Sequence, residues 1–160
     1  MVRRSRAGAV LVAMLLAAGA AALEVRSPEE TVRTYLQALK DGRFEDAYGV
    51  ISKAMKQGKD REVWAKEQKA GMGMADVKIF EFHVHPGKVE GDKAYVPNVL
   101  VSQDRFVNQL GLTEHELYTL EREEGAWKVD RQVILEPPEI PKWFPAESKG
   151  AAAGGPADSH

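Results

Sequence analysis

From Ser27 onward the apolar positions recur every three to four residues, with Val32, Tyr35, Leu36 and Leu39 falling on one side. That spacing predicts a helix with a single buried face. Ser27 is an N-cap type, Pro28 suits the first helical position, and Glu30 stands where a capping box needs a carboxylate. Gly42 ends the run. Phe44, Ala47, Tyr48 and Ile51 repeat the spacing and predict a second helix. A third is expected from Asp60 through Val63 and Trp64 to about Ala70, with Gly71 and Gly73 as its stop.

From Asp76 the repeat shortens to alternate residues. Phe80, Phe82 and Val84 interleave with Glu81, His83 and His85, as in a half-buried strand. Pro86-Gly87 interrupts it as a bulge or kink, and Gly91-Asp92 carries a tight-turn signature. Lys93 to Ser102 reads as the partner strand. A second hairpin is expected from Glu114 to Ile134, turning at Glu124-Gly125. Helices first and strands afterwards predict an α+β domain, its sheet mostly antiparallel.

Two flanking segments fall outside this pattern. Residues 1–22 place Arg3, Arg4 and Arg6 before an uncharged stretch that ends in small residues, the layout of a secretory signal peptide cleaved after Ala20 or Ala22. The competing reading is an uncleaved anchor, but an apolar run of about 16 residues is shorter than the ~20 that span a bilayer. The expected location is therefore periplasmic or secreted, without stable membrane insertion after cleavage. At the other end, Pro137, Pro138, Pro141 and Pro145 followed by the Ala/Gly-rich stretch to Pro156 predict a tail over 137–160. Trp143 and Phe144 are expected to fold back, and disorder is expected beyond Ala146. One domain, 23–136, remains between them.

Charge and cysteine content narrow the classes. The leader holds three of the 22 basic residues and none of the 24 acidic ones, leaving 19 against 24, a net charge of −5. No basic run occurs, so nucleic acid is not an expected partner. The absence of cysteine excludes disulfides, thiolate metal sites and a lipidated N-terminal cysteine.

The stretch Thr31 to Leu39, followed by Lys40-Asp41-Gly42-Arg43-Phe44-Glu45-Asp46-Ala47-Tyr48, and the later Gly125-Ala126-Trp127-Lys128-Val129-Asp130 together resemble the nuclear transport factor 2-like superfamily over residues 27–135. The resemblance is to an exported bacterial branch of that group. It implies a cone of the cystatin-like type: N-terminal helices packed in the concavity of a curved sheet of four to six strands, a pocket between them, and often a homodimer. The superfamily includes isomerases, dehydratases, hydrolases, cyclases and non-catalytic binding or assembly domains. The chain matches the catalytic constellation of none of these enzymes, and fold alone does not assign function.

A symmetric turn at Glu124-Gly125 would pair Arg122 with Trp127, Leu120 with Val129, Tyr118 with Arg131 and Glu116 with Val133. Arg131, Tyr118 and Glu116 then share the core side, where the guanidinium either pairs with Glu116 or holds an acidic ligand. Tyr35 and Tyr48 are the helical side chains that can add hydroxyls to such a pocket. About the Gly91-Asp92 turn, Glu81, His83 and His85 would face Ser102, Leu100 and Asn98, with Phe80, Phe82, Val84, Val99 and Val101 on the other side. Glu81, His83 and His85 are metal-ligating types on one strand, but they lie on the convex face and lack an orienting second shell. No cofactor is expected. His115, between Glu114 and Glu116, is either a solvated strand end or a general base at the pocket mouth.

Three functions fit. The preferred one is an exported non-catalytic domain that binds a small acidic or apolar molecule, or a protein partner, through its cone pocket or open sheet. The others are a small-molecule lyase, isomerase or hydrolase with an acid–base site in the cone, and a homodimeric assembly module.

Overall fold

The computed structural model describes residues 25–106 and 111–145. The expected signal peptide and the tail beyond Ala146 lie outside them. Helix α1 spans Pro28–Lys40 and starts as its sequence dictates, with Ser27 Oγ accepting the Glu30 N–H at 3.1 Å. Its stripe of Val32, Tyr35, Leu36 and Ala38 is buried against the sheet.

The next helical stretch departs from expectation. Phe44–Tyr48 forms α2, the chain leaves the helix at Gly49, and Lys53–Lys56 forms a separate turn, α3. Ile51 does not continue α2. It makes a parallel bridge to Val129, with the Val129 N–H donating to Val50 O at 2.9 Å and the Ser52 N–H to Val129 O at 2.8 Å. Pairing with a sheet edge has outweighed helical periodicity there. Helix α4 runs Arg61–Met74 and contains Gly71 and Gly73 instead of ending at them. A helical glycine is tolerated at a cost of about 1 kcal/mol, and nothing packs where either side chain would stand.

The strands are β1 (Lys78–Val84), β2 (Lys88–Glu90), β3 (Lys93–Gln103), β4 (Leu112–Glu123) and β5 (Ala126–Ile134). Their order is β1-β3-β4-β5, with β2 continuing beside β3, and all of these pairings are antiparallel. The core lies between α1 and one face of this sheet, where Ala94, Val96, Leu100, Tyr118, Leu120, Trp127 and Val129 are buried. Among the described residues no helix is long and apolar enough to cross a membrane.

Both expected turns form, and both hairpins then slip by one residue. Glu90 pairs with Lys93 and Lys88 with Tyr95, but beyond Pro86-Gly87 the pairing becomes Val84 with Asn98, His83 with Val99 and Phe82 with Leu100. Asn98, Leu100 and Ser102 therefore belong to the core face, and Val99 and Val101 to the outer one. Phe80 sits at an irregularity in β1 and is exposed. In the second hairpin, Arg122 pairs with Trp127 and Leu120 with Val129 as expected, but Asp130 bulges out. Tyr118 then faces Gln132, Glu116 faces Ile134, and Arg131 moves across to pair with Thr119.

The C-terminal segment folds back at Trp143 and Phe144, and its prolines do not prevent a helical turn. Ile140–Trp143 forms a helical turn, α5, because a proline in the first turn gives up no hydrogen bond. Phe144, only 2% exposed, packs edge-on against His85 and His115, with ring centroids 4.9 and 4.8 Å away.

Candidate functional site

Glu116 lies in the middle of β4 on the core face and has no exposed surface. Asn98, opposite it on β3, donates through Nδ2 to Oε2 at 2.8 Å, and the Tyr118 hydroxyl donates to the same oxygen at 3.2 Å. Gln132, turned inward by the Asp130 bulge, donates through Nε2 to Oε1. The Tyr35 ring of α1 closes over this group, 6.2 Å from the Tyr118 ring and edge-on to it. A buried carboxyl is thus held by three neutral donors with no ion-pair partner among the described residues.

Burial is the largest influence on Glu116 and pushes its pKa above the usual carboxylate range. The three donors oppose that shift without cancelling it, and neighbouring Glu114 adds to it. Burial, with the Glu116 charge second, raises Tyr35 to about 12 and lifts Tyr118 well above an ordinary phenol. Asn98 Oδ1 is left without a hydrogen-bond partner. Turning that amide over would let a protonated Glu116 donate to the oxygen, the form that the raised pKa favours.

Of the residues expected to line a pocket, Tyr35, Glu116 and Tyr118 do come together. Arg131 does not: it is exposed on the outer face and contributes nothing to Glu116. The bulge accounts for the change, because one extra residue sends each following side chain to the opposite face. Its anchor is on the page: Ser52 donates through Oγ to Asp130 at 2.7 Å while capping α3. Tyr48 is remote in role. Its hydroxyl donates to Lys59 O at 2.8 Å and its ring packs on Trp64, so it ties α2 to α4.

Glu81 and His83 are exposed on the outer face and contact each other at 3.0 Å, while His85 turns to Phe144. Among the described residues no three His, Cys, Asp or Glu side chains are grouped to hold a metal. His115 also packs on Phe144.

A cleft of about 410 Å³ lies on that outer side, between the β1–β2 kink and the returning C-terminal segment. Pro86, Gly87 and Pro97 form its floor, and Trp143, Phe144 and Pro145 its roof. His85, Lys88 and Lys142 complete the lining, which includes no carboxylate. The floor is rigid. The Gly87 N–H donates to Glu29 Oε1 at 2.8 Å, and a Cβ at Gly87 would stand 2.8 Å from Tyr95 O. Partial burial pushes the Glu29 carboxyl up, but the Gly87 N–H, its own backbone N–H, Ser27 and Arg33 together hold it below the usual range.

Sequence reasoning missed Asn98, Gln132 and Lys142. Asn98 carried a signal, a lone amide inside the apolar run Tyr95 to Val101. Gln132 carried none, since the bulge decides its face.

The element order and the helix-lined sheet find counterparts among solved structures. A SEC-C motif containing protein from Rhodopseudomonas palustris superposes with a TM-score of 0.53 at 16% identity, over 69% of this chain and 83% of that one. The likeness is one of fold. An NTF2-like protein of unknown function from Pseudomonas putida KT2440 is similar over 67% of this chain and 82% of its own, with 14% identity and a TM-score of 0.48. A domain of unknown function with a cystatin-like fold from Nostoc punctiforme gives 75%, 82%, 14% and 0.49 respectively. No family model matches the sequence, and no curated protein does. An identity of 16% carries a likeness of fold alone and leaves activity open.

Proposed function

We propose that this chain is an exported, non-catalytic binding domain whose ligand site lies outside the cone. The observation that carries this reading is the closure of the core face. Tyr35, Tyr118 and Glu116 are 6%, 1% and 0% exposed, and Glu116 is already held by three internal donors, whereas the outer cleft is open and apolar. Ligand sites are concave and mostly apolar with few polar groups, which describes the outer cleft better than the sealed one. Export is supported by the leader-like residues 1–22.

Native mass spectrometry of the protein purified from its own exported fraction tests this. A retained ligand should be lost in Trp143→Ala and kept in Glu116→Gln. The reverse pattern would move the site into the cone.

One observation favours an acid–base reading instead: a carboxyl with a raised pKa beside two tyrosines is the material of a general acid. A reactant could meet it only if α1 or Gln132 moved aside. The homodimer stays within the proposal, supported by the sheet edge at β5, where Val133 and Ile134 are 40% and 58% exposed. The same spectra report the oligomeric state.

A further inference from the structure

We infer that the outer cleft takes a small organic anion with a flat apolar body, its acid group against Lys142 and its ring system between Trp143 and the floor prolines. The inference rests on the binding-domain reading and names the ligand class of that site.

Charge sets the sign of the ligand. The lining holds two lysines and no carboxylate, in a chain whose formal net charge is −2. Lys88 is engaged by Glu90 at 2.5 Å, whereas Lys142 has no ion pair among the described residues. The exposed Lys142 side chain stands at the rim of the apolar cleft, where its ammonium meets the acid group of a ligand seated against the aromatic and proline surface.

Shape and lining set the body. The roof and floor are proline and aromatic surface, which rewards a flat, rigid, apolar group and costs little side-chain entropy. A volume of about 410 Å³ falls within the range of small-molecule sites, on the order of 300–1,000 Å³. The walls are held before any ligand arrives. Glu29 pins Gly87, Phe144 is clamped between His85 and His115, and the Trp143 ring lies 5.9 Å from that of Tyr95. Such preorganisation lowers the cost of ordering the site on binding.

The test is calorimetric titration of the full chain with 1-naphthoate and with the uncharged 1-naphthalenemethanol, at low and high salt. Naphthoate should bind saturably and about tenfold more tightly than the alcohol, roughly the worth of one charge-assisted contact, and the gap should shrink with salt. Lys142→Gln, an exposed change that leaves the core untouched, should bring naphthoate down to the alcohol. Trp143→Ala should weaken both ligands together. Equal affinity for acid and alcohol, or naphthoate binding indifferent to Lys142→Gln, would overturn the anion assignment while leaving a binding cleft. Failure of both ligands to bind would overturn the cleft as a ligand site.

Discussion

A carboxyl with no exposed surface and no cation beside it among the described residues must be held by neutral donors, and Glu116 has three of them. Its raised pKa means that the folded chain binds this proton more tightly than the unfolded chain, where the group titrates near 4.5. Stability from this group is therefore fully present below that value and is lost as pH rises through the folded-state value. Glu116→Gln removes the titration. The melting temperature of the variant should gain on the wild type as pH rises from 4 to 8, and a gap that stays constant would contradict the assignment. Arg131 is the counter-case: exposed on the outer face, it should tolerate Arg131→Ala within about 0.5 kcal/mol in denaturant unfolding. The types of Glu116, Tyr118 and Tyr35 were legible as pocket candidates. Arg131 was misplaced because alternation is a strict period, and a single bulged residue inverts everything after it.

At the level of elements, the strongest local signals held. Ser27-Pro28 starts α1, and Glu124-Gly125, both with positive φ, turns β4 into β5 with the expected first pairs. What failed depended on contacts distant in sequence. Residues 50–52 leave the helical pattern to cover the edge of β5, and Ser52 holds the bulge at Asp130. The Pro86-Gly87 kink was visible as a place where the register could slip, and the pairing does shift by one residue there, with the Gly87 N–H held by Glu29 of α1. Gly87→Ala tests that junction. The added methyl would press on backbone and on Val96, so the variant should lose about 1–3 kcal/mol in chemical denaturation. An unchanged midpoint would mean that the kink is slack.

At the scale of the whole molecule, the helices seal the cone and the C-terminal segment builds a second concavity behind the sheet. Composition marked that segment as a tail, yet Phe144 is buried as deeply as many core residues. Phe144→Ala should cost about 3 kcal/mol if the segment unfolds with the domain, read from the urea midpoint. A loss below about 0.5 kcal/mol would show that it detaches independently. The helices and the sheet were legible from the chain because periodicity reports which faces are buried, whereas the cone was what the family resemblance implied. The cleft was not, because it exists only where two segments about 50 residues apart meet across the sheet.

Where a ligand sits relative to the sheet separates the outer cleft from the cone most directly. Amide and indole shifts in a ¹⁵N-labelled sample titrated with 1-naphthoate should move at Gly87, Lys88, Lys142 and the Trp143 indole, leaving Tyr35, Glu116 and Tyr118 unchanged. Shifts centred on Glu116 and Tyr118, with Gly87 and Trp143 silent, would contradict the outer site and return the function to the cone.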